Sequence, residues 1–328
     1  INPMGSGFLI SGAGFAAPRT PRISGLGASA TGLIWAEVSA SLAGLTRRLG
    51  TIADKRAKAA GEGSPRAGGL SDKGSDGVAR GALPSGISGA ATGGGGATAG
   101  ALVPVPSYFK RIREICDQYG ILLILDEVMC GMGRTGHMFA CDADGVSPDI
   151  LCIAKGLGAG YQPIGAMLCS ADIYAAIAVG SGFFQHGHTY IGHPVATAAG
   201  LAVVTEMLNR DLISTCRDRG AQLQSALVDR FADHPHVGDI RGRGLFRGVE
   251  LVADRATKAP FDPGKTLAAK VKSAAFESGL ICYPMAGTRD GRLGDHILLA
   301  PPFIMTESQI GEVVDKLDQA VTLALQGI

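Results

Sequence analysis

Residues 121–128 read Ile-Leu-Leu-Ile-Leu-Asp-Glu-Val, an apolar run that ends in two acidic residues and a valine. A second apolar run, at 149–154, is followed by Lys155. Short runs that are rich in Leu and Ile and bounded by polar or glycine residues are typical of buried strands in a parallel sheet. Because ligands bind at the carboxyl ends of such strands, we expect Asp126 and Lys155 to lie at the same edge of the sheet.

An amine and a carboxylate at one sheet edge are the two groups that pyridoxal phosphate (PLP) chemistry requires. The lysine forms a Schiff base with the cofactor, and the carboxylate holds a proton on the pyridine nitrogen so that the ring accepts electrons. The sequence therefore predicts a PLP site built from Lys155 and Asp126.

Three blocks of sequence resemble the class III PLP-dependent aminotransferases, in the same order and with matching separations. They are Leu-Asp-Glu-Val-Met-Cys-Gly-Met-Gly-Arg-Thr-Gly at 125–136, Ser-Pro-Asp-Ile to Ala-Lys-Gly-Leu-Gly-Ala-Gly at 147–160, and Gly-His-Thr-Tyr-Ile-Gly-His-Pro at 187–194. The resemblance covers about residues 96–328 and implies the α/β architecture of PLP-dependent transferase fold type I. That fold has a large domain with a mostly parallel sheet, followed by a smaller α+β C-terminal domain.

The resemblance also implies roles for single residues. Lys155 would carry the Schiff base and act as general acid and base in the 1,3-proton shift, while Asp126 would hold the pyridinium nitrogen. Val128 would pack against a face of the cofactor ring. Thr189 would bind the cofactor phosphate from the other subunit, which implies a homodimer with shared active sites.

Each of these residues also has an ordinary structural interpretation. Asp126 would cap the turn after its strand, and Lys155 would extend its amine to solvent. Val128 would fill the core, and Thr189 would be a loop hydroxyl. Because Asp126 and Lys155 occur together within the matching blocks, the functional interpretation is favoured.

Candidates for binding a substrate carboxylate follow in the C-terminal part of the chain. A guanidinium binds a carboxylate through two parallel hydrogen bonds, so arginines near glycine-rich turns are the residues of interest. These are Arg243, Arg289 and Arg292.

The chain departs from the family pattern before residue 96. Residues 1–95 are rich in Gly and Ala, which favours a flexible segment. They contain neither the Ser/Gly-rich loop that binds the cofactor phosphate nor the aromatic-His-Gly segment that stacks on the ring, and Met129 stands where the family often has Gln. We therefore expect an atypical N-terminal region at 1–95, with the N-terminal half of the large domain truncated or atypical. A PLP-binding large domain at 96–210 and a small C-terminal domain at 211–328 follow.

Hydrophobic periodicity predicts the remaining elements. Helices are expected at 33–59, 107–119, 193–208, 215–233, 267–278 and 307–325, and strands at 164–169, 244–251, 280–283 and 296–299. Ser107 is expected to cap the second of these helices, and Gly120 to end it.

Composition argues against several other classes of protein. The chain has 328 residues and a net charge of +1, which gives no electrostatic case for binding nucleic acid or a membrane surface. Its 7 cysteines include no Cys-x-x-Cys pair and predict reduced thiols in a cytoplasmic protein. No apolar run reaches the roughly 18 residues of a membrane span, and no signal peptide is expected. His186, His188 and His193 have no carboxylate or Cys neighbour that would favour a metal site.

The leading interpretation is a PLP-dependent aminotransferase that moves an amino group from an amino acid or amine to a 2-oxo acid. Two alternatives stay open. One is a class III aminomutase or decarboxylating relative, which keeps the same Asp and Lys. The other is a non-catalytic or weakly PLP-binding remnant of the family. A generic α/β nucleotide binder is disfavoured, because no glycine fingerprint follows a predicted strand.

Overall fold

The structure is a computed structural model that describes residues 99–326 and 328. The region at 1–95 and the predicted helix at 33–59 lie outside the described residues. The helices are α1 (Tyr108–Tyr119), α2 (Ala171–Val179), α3 (Pro194–Asn209), α4 (Leu212–Phe231), α5 (Leu267–Glu277) and α6 (Glu307–Leu325). The strands are β1 (Ile124–Asp126), β2 (Ile150–Ile153), β3 (Ala166–Cys169), β4 (Val237–Arg243), β5 (Phe246–Leu251), β6 (Tyr283–Arg289) and β7 (Leu293–Leu299). Short 3-10 helices span Ala140–Asp144, Lys155–Leu157 and Pro263–Lys265.

The first sheet has the strand order β1-β2-β3. β1 and β2 are parallel, with Ile124 opposite Ile150 and Asp126 opposite Cys152. This pairing confirms that the two apolar runs are neighbouring strands whose carboxyl ends share one edge. The strand predicted at 164–169 is present as β3, but it runs antiparallel to β2, so this three-stranded sheet holds one parallel and one antiparallel pair.

β1 is shorter than the apolar run at 121–125 predicts. The Leu123 N–H donates to a carboxylate oxygen of Asp149 at 2.6 Å, while the Leu123 carbonyl accepts the Ile150 N–H of β2 at 3.1 Å. The same carboxylate forms an ion pair with Arg113 of α1 at 2.8 Å. The first part of the run therefore anchors α1 against the start of β2, and regular pairing begins only at Ile124.

The two ends of α1 differ in how well the sequence predicts them. Gly120 ends the helix in the left-handed conformation, with a φ of 63°, as expected. Ser107 does not act as the expected cap, because it has a φ of 70° and its hydroxyl accepts no capping hydrogen bond.

The second sheet is antiparallel, with the order β4-β5-β7-β6. β7 contains the strand predicted at 296–299, and β5 covers the predicted strand at 244–251 except for its first two residues. β6 begins at Tyr283, where the predicted strand at 280–283 ends. β4 and α2 are not predicted by the sequence. β4 reads Val-Gly-Asp-Ile-Arg-Gly-Arg and lies at the edge of this sheet, where a strand needs no continuous apolar pattern.

The described residues form two large apolar clusters. The buried members of the first lie between residues 109 and 207, and those of the second between 216 and 324. This separation supports the domain boundary expected at residues 210 and 211, which stays a prediction. No helix among residues 99–326 is both long and apolar enough to span a bilayer.

A buried carboxylate of the second sheet stabilises the start of α5. Asp295 of β7 is 6% exposed, and its Oδ1 accepts the Ala268 N–H at 3.2 Å. Thr266 occupies the capping position of α5 with a φ of 50° and gives no side-chain cap. Asp295 therefore replaces the missing cap from a distant strand. Burial raises the pKa of Asp295, and the hydrogen bond from Ala268 offsets part of that rise.

This raised pKa predicts how stability changes with pH. An acid whose pKa is higher in the folded chain binds its proton more tightly there, so its contribution to the free energy of unfolding is complete below its ordinary pKa of 3.8 and is lost as pH rises through the folded value. Urea unfolding should therefore show that the stability of Asp295→Asn relative to the wild type increases as the pH is raised from acidic to neutral. Asp218→Asn, at an exposed position of α4, serves as control. Parallel pH profiles for wild type and Asp295→Asn would contradict this.

Candidate active site

Asp126 is the last residue of β1, and its side chain is exposed at the sheet edge. Its Oδ1 accepts the Val128 N–H at 2.9 Å, which fixes the carboxylate relative to the turn that follows the strand. This is the turn cap that the ordinary structural interpretation describes. It uses one oxygen, and Oδ2 receives no hydrogen bond from a described residue. The carboxylate is thus oriented and still has an acceptor for a ligand.

Lys155 follows β2 at the same edge of the sheet, three residues after Cys152, the partner of Asp126. It has a φ of 38°, in the left-handed region, and begins the 3-10 helix Lys155–Leu157. For a residue other than glycine this conformation costs on the order of 1 kcal/mol, and such residues cluster at functional sites. The side chain is exposed, and no described residue holds its amine by a hydrogen bond or ion pair.

The turn that carries Lys155 packs tightly against the loop that follows Asp126. A Cβ atom on Gly156 would lie 2.9 Å from Cβ of Met132, so only glycine allows this approach. Met132 is itself 1% exposed and has a φ of 53°. The structure therefore brings the Asp126 loop and the Lys155 turn into direct contact.

Two further predicted residues differ in their surroundings. Val128 is half-buried directly after the Asp126 edge. Thr189 is exposed on the segment between α2 and α3, and its hydroxyl makes no hydrogen bond to a described residue. The structure thus places Val128 beside the Asp126 edge and Thr189 on an outward-facing segment.

The three candidate arginines also differ in their surroundings. Arg243, at the end of β4, forms a two-pronged ion pair with Asp144, at 3.0 and 3.4 Å, so its guanidinium is already bound to a carboxylate of the chain. Arg289 and Arg292 lie exposed at the hairpin between β6 and β7. Arg292 also lines a cavity of about 360 Å³ between this hairpin and the start of α5.

Glu127 is a residue of this region to which the sequence assigns no role. It is 1% exposed, and its carboxylate accepts the N–H groups of Ala140 and Cys141 at 2.6 and 2.8 Å. Strand alternation gives a partial signal, since the neighbour of an exposed Asp126 should face inward. The two donors lie 13 and 14 residues downstream, however, so only the fold reveals them.

Arg134 is a second such residue. Its Nη1 donates to the carbonyls of Leu245 and Pro301, at 3.3 and 2.6 Å, and its guanidinium lies 4.6 Å from the centre of the Phe303 ring. Burial lowers the pKa of Arg134. These contacts join the loop after β1 to the second apolar cluster.

The histidines of the segment between α2 and α3 are exposed, and the rings of His186 and His188 lie 5.9 Å apart. Among residues 99–326, no group of three or more His, Cys, Asp or Glu side chains is arranged to hold a metal ion.

The comparisons with known proteins agree on one family. The sequence profile described as aminotransferase class III matches residues 95–321. An aminotransferase of Gibberella zeae is 46% identical over 231 residues, which are 70% of this chain and 45% of that protein. An uncharacterised aminotransferase of Schizosaccharomyces pombe is also 46% identical, over 69% of this chain and 50% of that protein.

A solved structure shows the same relationship. The ω-transaminase of Pseudomonas jessenii in complex with PMP is 38% identical, with a TM-score of 0.63, over 70% of this chain and 49% of that chain. The chain therefore spans about half the length of the relatives that it matches.

Proposed function

Because the chain belongs to the class III aminotransferases, we propose that it binds PLP covalently through Lys155 and moves an amino group from an amino acid or amine to a 2-oxo acid. The observation that carries this proposal is the arrangement of Asp126 and Lys155 at one edge of the sheet, where two parallel neighbouring strands end.

The groups present fit PLP. An amine that no residue of 99–326 binds suits the aldehyde of the cofactor, and a carboxylate with one oxygen that receives no hydrogen bond from those residues suits its ring nitrogen. PLP supplies an electron sink when bound. With PLP bound, the Lys155 amine would hold the cofactor and then carry a proton, Asp126 would keep the ring nitrogen protonated, and Val128 would pack against the ring.

On the substrate side, Arg289 and Arg292 are better candidates than Arg243 for binding a carboxylate. Both are exposed at a hairpin, whereas the guanidinium of Arg243 is occupied by Asp144. Breaking that ion pair to bind a substrate would leave the half-buried Asp144 carboxylate without its cation.

We further propose a homodimer in which Thr189 reaches the cofactor phosphate of the partner. The segment around Thr189 supports this, because it carries the exposed side chains of Phe183 and Tyr190, which are 67% and 68% exposed. Apolar groups clustered on a surface mark a site of association. The remaining proposals are a cytoplasmic location and small-molecule substrates, with neither nucleic acid nor a membrane as partner.

One observation favours a second candidate function. Residues 1–95 contain neither the Ser/Gly-rich phosphate loop nor the aromatic-His-Gly segment that the family pattern includes. A non-catalytic or weakly PLP-binding member of the family would still keep Asp126 and Lys155. An aminomutase or a decarboxylating relative would keep them too, and analysis of reaction products separates those activities.

Covalent attachment is the direct test of the proposal. We expect purified protein incubated with PLP and reduced with borohydride to gain one pyridoxyl group, and peptide mass spectrometry to place it on Lys155. A screen of amino donors with a 2-oxo acid then separates a transaminase from a remnant. An adduct spread over exposed lysines such as Lys265, or no adduct in a folded protein, would overturn the proposal.

A further inference from the structure

Glu127 lies between two residues of the candidate site, Asp126 and Val128, yet its side chain points into the protein. Its carboxylate accepts the N–H groups of Ala140 and Cys141, which begin the 3-10 helix Ala140–Asp144. These two hydrogen bonds close the loop at 128–139 on itself.

The main chain of Glu127 is held at the same time. Its N–H donates to the Cys152 carbonyl of β2 at 2.8 Å, and its carbonyl accepts the Gly131 N–H at 2.9 Å. A Cβ atom on Gly131 would lie 2.7 Å from that carbonyl and 3.1 Å from Oε2 of Glu127, so the loop fits closely around the side chain. Glu127 is thus fixed to the neighbouring strand, to the loop and to the 3-10 helix.

Burying a charged carboxylate in this position costs free energy of desolvation. Burial raises the pKa of Glu127, while the hydrogen bonds from Cys141 and Ala140 act in the opposite direction. A hydrophobic side chain would avoid the cost of desolvation but would leave the two buried N–H groups of the 3-10 helix without an acceptor. The position therefore requires two acceptor oxygens at fixed places.

We propose that Glu127 is a positioning residue that sets the orientation of Asp126 and Val128 toward the cofactor; this inference rests on the proposed PLP function. Its hydrogen bonds determine the course of the loop at 128–139. That loop supplies the N–H that orients Asp126, and it supplies Met132, on which the turn of Lys155 packs. Glu127 itself touches neither cofactor nor substrate.

The test compares Glu127→Gln with Glu114→Gln, which changes an exposed carboxylate of α1 that forms an ion pair with Arg111 of the same helix. Gln keeps the shape of the side chain but directs an NH2 group toward one of the two backbone donors. PLP is titrated into each folded protein, and the circular dichroism of the bound cofactor is measured per bound molecule. We expect Glu127→Gln to weaken PLP binding about tenfold or more and to reduce that signal, with Glu114→Gln unchanged.

The cofactor signal separates positioning from a purely structural role. A variant that only loses stability would bind PLP in the same orientation in its folded fraction. An unchanged dissociation constant and unchanged circular dichroism in folded Glu127→Gln would overturn the inference. If wild type itself fails to bind PLP at Lys155, the proposed function fails first and this inference fails with it.

A second measurement does not depend on the folding of a variant. If the loop at 128–139 is part of the cofactor site, PLP should slow hydrogen exchange of the Ala140 and Cys141 amides in the wild type. Exchange rates at these two amides that do not change on saturation with PLP would contradict the coupling between Glu127 and the site.

Discussion

Replacing Lys155 with alanine should remove the covalent attachment of PLP and lower the rate of amino-group transfer by about 10³-fold or more. In the proposed function the amine would serve twice, since it would attach the cofactor and then carry the proton, and a positioned acid or base alone contributes about 10²–10⁴-fold. We expect the Lys155→Ala variant to lose function without losing stability. Lys155 has a φ of 38° and an exposed side chain, so alanine removes no buried contact.

The matched control is Lys265→Ala, which removes an exposed lysine of the 3-10 helix Pro263–Lys265. Its borohydride adduct and its transfer rate should equal those of the wild type. The adduct is measured by intact mass, so the comparison holds even where transfer by the wild type is slow. A pyridoxyl group of full stoichiometry on Lys155→Ala would show that another amine holds the cofactor.

The sequence predicts the edge of the first sheet well because the information there is local. An apolar run followed by a polar residue specifies a strand and its end, and two such runs place Asp126 and Lys155 on neighbouring strands. The same applies to α6, which spans the predicted residues 307–325. Its capping box of Thr306 and Gln309 is formed within four residues of sequence.

The features that the sequence does not predict depend on partners that lie far away along the chain. The ion pair of Arg243 with Asp144 joins residues 99 apart. The strand β4 is recognisable only beside β5, because its own residues are mostly polar or glycine. The sequence therefore predicts Arg243 as a candidate for binding a substrate carboxylate, whereas the fold shows that its guanidinium is already paired with Asp144.

Close approaches between backbone segments that are far apart along the chain are also not predicted by the sequence. Gly220 lies in the middle of α4, where intrinsic helix propensity favours alanine over glycine by about 1 kcal/mol. A Cβ atom at this position would lie 2.3 Å from the carbonyl carbon and oxygen of Gly244, in the turn between β4 and β5. Gly244 has a φ of +54°, and its own Cβ position is closed by the backbone of Thr135. The β4–β5 turn is thus packed against α4 on one side and against the backbone of Arg134 and Thr135 on the other.

Gly220→Ala should therefore destabilise the protein by about 2–3 kcal/mol, because overpacking against fixed backbone outweighs the gain in helix propensity. Gly311→Ala, at an exposed position of α6 with no atom within 4 Å of the new Cβ, should instead stabilise by about 0.5–1 kcal/mol. Urea unfolding of the two variants measures both changes. The opposite signs distinguish packing from propensity, since propensity alone predicts that both alanines stabilise. A Gly220→Ala variant as stable as Gly311→Ala would mean that α4 does not pack against the β4–β5 turn at this distance.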